Sequence, residues 1–227
     1  MTPDAALAAL EAAADPDRAE GMAAYHKVPR RYLGVAMPEV NALTADWRKA
    51  LPVPERVALA DALWATDIHE ARIAAAKLLT QARMRPAAAD DAAWRLIASW
   101  VPQFDAWAIA DHAASAGGRR LVAEPSRLDE VERWTASDHM WTRRAALVMT
   151  LPWTKQTHPT PQDEAIRDRV LGWAAGYVPD RAWFIQKAIA WWLRELSKHD
   201  PDRTRAFLDA HGADMKPFAR KDAAKYL

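Results

Sequence analysis

Trp107 and Asp111 stand four residues apart in "VPQFDAWAIADHAASAGG", residues 101–118, and on a helix that spacing puts both side chains on one face. The Ala and Ile residues around them predict a helix that is largely packed away, with a carboxylate held against an indole. Burial against the indole would raise the pKa of such a carboxylate, and an arginine near Asp111 would oppose that shift and keep it ionised. A second group again mixes charge with aromatic surface. In "DRAWFIQKAIAWWLRE", residues 180–195, Trp183, Lys187 and Trp191 follow i, i+4, i+8 spacing, with Arg194 close to the same stripe. Trp192 and Ile189 supply the opposite, buried face. The plainer alternative is that both indoles pack between helices while Lys187 reaches outward along its aliphatic stem. In "DHMWTRRAAL", Arg143 and Arg144 follow Trp141; adjacent helical residues point about 100° apart, so both cannot face the core, and one is expected to reach a phosphate or Asp111.

Other chemistries find little support. The seven histidines show no ligand spacing such as HxxxH, which argues against a zinc site, and no cofactor is expected. A Gly-rich phosphate loop and a nucleophile elbow are both missing. "GGRR", 117–120, reads as a helix C-cap followed by basic residues. The connector "YHKVPRRYLGVAMPEVNAL" is basic, leads into a helix near Pro38, and is expected to present Arg30 and Arg31 to an anion.

The elements that carry these residues are helical. The chain has 227 residues, 51% apolar, enough for a substantial core, and only seven glycines. Abundant Ala, Leu, Arg and Glu favour helix. Periodicity predicts helices over 2–14, 18–27, 38–50, 54–65, 68–84, 88–99, 104–116, 126–136, 139–150, 162–175, 181–197, 201–210 and 216–226, with no convincing strand. The breaks between them are too short for linkers, so one all-α domain over 1–227 is expected, built of helical hairpins stacked in series. With 31 basic and 30 acidic side chains, no global field draws the protein to a polyanion; a local basic patch would have to do so. The chain contains no cysteine, which excludes disulfides and thiolate metal sites and fits a reducing cytoplasm. The N-terminus is unlike a signal peptide, and no span of 18 apolar residues occurs, so no membrane association is expected.

An internal repeat organises the helices. "DIHEARIAAAKLL" from Asp67, "DHMWTRRAALVMT" from Asp138 and "DRAWFIQKAIAWW" from Asp180 align without gaps, with Glu70, Trp141 and Trp183 three residues after the Asp and Ala75, Ala146 and Ala188 eight after it. The Asp is expected as N-cap, and Asp67 with Glu70 fits a capping box. A divergent unit fits the larger gap, its aromatic being Trp107, 34 residues before Trp141. Shared composition of alanine-rich helices is the alternative explanation. As a repeat, the register stacks Trp107, Trp141 and Trp183 on one face and Asp111, Ala145 and Lys187 on the same surface. Solenoids bind extended ligands on such a face, and duplex DNA is a natural candidate.

Together, "YLGVAMPEV", "WAIAD", "WTRRAAL" and "WFIQKAIAWWLRE" resemble the AlkD-like alkylpurine DNA glycosylases of the HEAT-like-repeat type, over about residues 18 to 226. The resemblance implies an all-α, right-handed superhelical solenoid of six or so helical repeats, with a concave, positively charged groove for duplex DNA. It further implies release of cationic N3- or N7-alkylated purines, without base capture in a pocket, by a monomeric bacterial protein of the cytoplasm and nucleoid. The family motif maps its lesion-contacting residues to Trp107, Asp111 and Trp191, the catalytic set. DNA contacts map to Tyr25, Arg144, Trp183 and Phe184, with Arg143, Lys187 and Pro38 completing the DNA-binding set.

Such a reaction suits these residue types. The alkylated base is already cationic and leaves without a general acid, so positive charge develops on the deoxyribose, where a carboxylate and indole faces stabilise it. Three positions depart from the family pattern: Ala36 replaces a polar or basic residue, Asn41 stands where arginine is common, and Ala108 stands where an Asp often follows the tryptophan. The first two weaken the expectation of N-terminal DNA contacts. The rival readings are a non-catalytic DNA-binding or damage-sensing solenoid and a protein-interaction scaffold.

Overall fold

Proline and small polar residues mark where the helices begin. In a computed structural model describing residues 1–227, the order is α1 (Pro3–Ala12), α2 (Pro16–His26), α3 (Met37–Ala50), α4 (Val53–Ala65), α5 (His69–Leu78), α6 (Ala87–Trp100), α7 (Trp107–Ala123), α8 (Leu128–Trp134), α9 (Met140–Met149), α10 (Leu151–Thr154), α11 (Pro161–Tyr177), α12 (Trp183–Ser197), α13 (Pro201–His211) and α14 (Pro217–Ala223). Proline occupies the first or second position of α1 to α4, α10, α11, α13 and α14, where its missing N–H has no helical partner to lose. Thr2, Asp15 and Asp200 cap α1, α2 and α13 through side-chain oxygens, and Thr160 forms a reciprocal capping box with Asp163 on α11. The fold is all-α; the strand-like pairing is a lone bridge between Arg31 and Ile68. No helix is long and apolar enough to cross a membrane.

The helices gather into two compact units, Met1–Ala123 and Glu124–Leu227, each built around one enclosed helix. In the first unit that helix is α5, which packs on α3, α4 and α7. Ala71, Ala74, Ala75 and Ala76 are fully buried there, and their small side chains let three neighbours approach one backbone. The core continues through Trp64, which stacks on Trp100 with centroids 4.2 Å apart. In the second unit the enclosed helix is α12, packed on α9, α13 and α14. Ala188, Ala190 and Trp192 are buried, and the Trp192 indole N–H donates to Thr150 Oγ1 at 3.1 Å. The matched alanines of the repeat, Ala75, Ala146 and Ala188, all lie in the core.

Several sequence expectations are corrected. The "GGRR" segment does not end a helix: α7 runs through Gly117 and Gly118 to Ala123. Arg120, fully buried, secures that last stretch by pairing with Asp90 and donating to the carbonyls of Gln81 and Ala82. Those two carbonyls face a guanidinium, and the helix expected over 68–84 ends at Leu78.

Asp67 and Glu70 form no capping box. Asp67 has φ 53° and pairs with Arg72 at 3.0 Å, while the Glu70 carboxylate turns to the connector before α3. Helices α9 and α12 likewise start after their repeat Asp, with His139 and Ala182 as N-caps. The expected shared surface fails within the second unit, because Ala145 is buried on α9 whereas Lys187 is exposed on α12.

Candidate nucleic-acid interface

In the first unit the site forms where α7 begins. Trp107 is its first residue and is 38% exposed, with Asp111 one turn along on the same face and partly exposed. Tyr25, at the end of α2 and 68% exposed, meets the Trp107 indole edge-on at 6.2 Å between centroids. His26 lies 5.6 Å from the same indole, stacks on Tyr32, and sits 4.6 Å from His69. Burial lowers the pKa of both imidazoles, that of His69 to about 3, so both are neutral near pH 7.

The connector between α2 and α3 holds this cluster. Lys27 ends α2 in the left-handed conformation, and the Glu70 carboxylate accepts the backbone N–H groups of Leu33 (3.0 Å) and Gly34 (2.7 Å). Gly34 has φ 76°, and a Cβ there would come within 2.0 Å of the Asp15 carbonyl oxygen, which is why "YLGV" carries a glycine. Arg18 donates to the Gly34 carbonyl at 2.7 Å. Arg30 does not face an anion as expected: its side chain is 2% exposed and pairs with Asp105 and Asp67. Arg31 is exposed but bridges to Glu11. Pro38 is exposed at the start of α3, with Asn41 exposed one turn on.

In the second unit, Trp183 opens α12 and is 48% exposed. Lys187 Nζ lies 4.7 Å from its ring centroid, so that pair carries a cation–π contact at the surface. Phe184 packs on Trp183 (4.8 Å) and on Trp141 (4.7 Å). Phe218 of α14, which sequence reasoning missed, stacks on Trp183 at 5.8 Å; the two lie 35 residues apart on different helices, so no periodicity links them. Trp191 is half-buried two turns after Trp183. Gln186 explains the polar residue inside "FIQKAI": it is buried, donates to the carbonyls of Val178 and Asp180, and accepts the backbone N–H of Lys216.

The arginines of the sequence motifs are largely engaged within the unit. Arg143 donates to the carbonyls of Ser137 and Asp138 and pairs with Asp180 at 2.9 Å. Arg144 is buried, donates to the Phe184 carbonyl at 2.9 Å, and lies 5.8 Å from the Phe184 ring. Arg194, expected beside the aromatic stripe, is bound by both oxygens of Asp222 at 2.8 Å. Lys187 therefore supplies the exposed cation of the motif.

A family model described as DNA alkylation repair enzyme matches residues 6–227. No curated protein sequence gives a significant match. Among solved structures, the fold is similar to that of a predicted DNA alkylation repair enzyme from Enterococcus faecalis, at 23% identity and TM-score 0.75, covering 94% of this chain and 96% of that one. It is also similar to AlkD2 from Streptococcus mutans, at 19% identity and TM-score 0.62, covering 85% and 90%. The smu.31 protein of Streptococcus mutans UA159 is similar at 19% identity and TM-score 0.63, covering 84% and 92%. With nearly its whole length matched, the chain belongs to the DNA alkylation repair enzyme family, and its role lies in DNA repair.

Proposed function

We propose that the protein is a monofunctional DNA glycosylase that hydrolyses the N-glycosidic bond of cationic N3- or N7-alkylated purines in duplex DNA. The observation that carries this reading is the exposed Trp107 indole with Asp111 one turn along α7, in a chain matched to an alkylation-repair family. The alkylated base departs as a neutral molecule, leaving an oxocarbenium ion on the sugar. A carboxylate about 4 Å from that cation contributes roughly 4 kcal/mol at an effective dielectric near 20. Indole faces contribute roughly 0.5–2 kcal/mol each through cation–π attraction, a role assigned to Trp107 and Trp191. Asp111 also orients the water that attacks the anomeric carbon, as the base carboxylate does in glycoside hydrolysis.

Duplex binding is assigned to Tyr25, Pro38, Arg143, Arg144, Trp183, Phe184 and Lys187. Arg143 and Arg144 serve by holding the start of α12 rather than by presenting free guanidinium groups, since each is hydrogen-bonded within its unit. The two units act together as one monomeric DNA-binding domain, and the lesion is processed without capture in a pocket. Incubation with duplex DNA containing N7-methylguanine releases free base, and Asp111→Asn slows release at least roughly tenfold, a loss of about 1.4 kcal/mol of transition-state stabilisation. No release by the wild type, under conditions where a known glycosylase is active, refutes the reading. No lysine is assigned as a Schiff-base nucleophile, so borohydride traps no adduct.

A second reading, a non-catalytic damage-sensing DNA binder, rests on Ala36 and Asn41 at the start of α3, an apolar and an uncharged side chain where the family resemblance implies a polar or basic residue and an arginine. It calls for salt-dependent duplex binding without base release.

A further inference from the structure

A cleft of about 490 Å³ in the first unit lies between α3, α5 and α7, lined among others by Asn41, Arg48, Lys77, Thr80, His112 and Ser115. No carboxylate lines it, and neither Arg48 nor Lys77 is held in an ion pair. The cations instead bear on one another: burial and then Arg48 lower the pKa of Lys77, and burial and then Lys77 lower that of His112 to about 4. Two fixed positive charges therefore share one concavity with a neutral imidazole.

The hydroxyls of the cleft have already used their hydrogens. Thr44 is buried behind the cleft wall, while Thr80 donates to the Ala76 carbonyl at 2.8 Å and Ser115 to that of Asp111 at 2.9 Å. These oxygens are left as acceptors, and the donors facing an occupant are Lys77, Arg48, Asn41 and His112. Such a cleft suits a ligand with a concentrated negative charge and hydroxyl groups of its own. A phosphodiester carries one negative charge, whereas a phosphomonoester carries about −1.5 to −2 near pH 7. The cleft is also larger than a phosphate group alone requires.

We propose that this cleft is a binding site for a sugar phosphomonoester, its dianion held by Arg48 and Lys77 and its sugar hydroxyls donating to Thr80 and Ser115. The site is distinct from the Trp107 and Asp111 assignment and goes beyond the glycosylase reading. A free sugar phosphate and a 5′-phosphorylated strand end share this chemistry.

Calorimetric titration of the full-length protein with 2-deoxyribose 5-phosphate, with 2-deoxyribose and with dimethyl phosphate tests it. Binding of the phosphomonoester and none by the other two supports the site; equal binding of the monoanionic diester, or no phosphomonoester binding at millimolar concentration, overturns it. Lys77→Met and Arg48→Gln each weaken binding at least roughly tenfold, about 1.4 kcal/mol. Circular dichroism checks their folding, and Lys77→Arg, which keeps the charge, retains binding. Retention in the Lys77→Met Arg48→Gln double variant refutes the site.

Comparison of short duplexes with 5′-phosphate and 5′-hydroxyl ends separates the sources. A preference for the phosphorylated end assigns the site to strand ends, and equal affinities assign it to the free sugar phosphate. Base release, measured separately, distinguishes failure of this site from failure of the glycosylase reading.

Discussion

The ring of Tyr25 meets the indole of Trp107 edge-on, with centroids 6.2 Å apart and planes at 85°. Tyr25 belongs to α2, which buries no residue of its own, so this contact joins an exposed helix to the proposed catalytic indole. Edge-to-face pairs contribute about 0.5–1.5 kcal/mol. Tyr25→Ala is therefore expected to slow base release about 2- to 10-fold with little change in Tm, whereas Tyr25→Phe keeps the edge contact and most of the rate. Equal loss in both variants, measured by single-turnover release, would assign the effect to the hydroxyl instead.

Glu70 is fully buried and accepts two connector N–H groups, so its replacement acts on stability before it acts on chemistry. Glu70→Gln leaves one acceptor for two donors and turns an amide N–H toward another N–H. The expected cost is about 2–4 kcal/mol, given the strength of charged hydrogen bonds and the penalty of an orphaned donor. Urea denaturation reads it directly; a midpoint unchanged from wild type would mean that the connector is held by other contacts.

Stability falls as the solution is acidified through the histidine range. Burial above all depresses His69 to about 3 and His112 to about 4, from 6.5 for a free imidazole. In the unfolded chain both bind protons as pH drops below 6.5, while in the fold they remain neutral, so the unfolded state holds more protons. The loss continues to about pH 4 for His112 and about pH 3 for His69, with a limiting slope of about 1.4 kcal/mol per pH unit for each group. Denaturation at about pH 7 and about pH 5 checks this, and His69→Gln should flatten the difference. An equal drop in that variant would move the cause elsewhere.

Arg120 joins Asp90 to the carbonyls of Gln81 and Ala82 with its side chain wholly inside the protein. Arg120→Met leaves the Asp90 charge without this partner, and breaking a buried pair from one side costs about 3–5 kcal/mol. Asp90→Asn, which keeps a hydrogen-bond acceptor, is expected to cost less. Thermal unfolding of the two variants gives the order, and the reverse order would contradict it.

The sequence by itself determined the all-α class and most helix starts, because proline, capping residues and apolar period act within one or two turns and need no distant partner. It also placed Trp107 and Asp111 on one face, since four residues on a helix settle that locally. Only tertiary packing decided the rest. Gly117 and Gly118 read as a stop, yet α7 continues because Arg120 finds Asp90 and two carbonyls from the segment after α5. Arg30 reads as an exposed cation, yet it is buried against Asp67 and Asp105, residues far from it in sequence. Tyr25 and His26 of α2 meet Trp107, and Phe218 of α14 joins Phe184 and Lys187 on Trp183; no spacing rule connects the partners that come from other helices. Charge and aromatic surface are written residue by residue; whether a charge is spent inside the fold or left for a ligand depends on which distant groups meet it there.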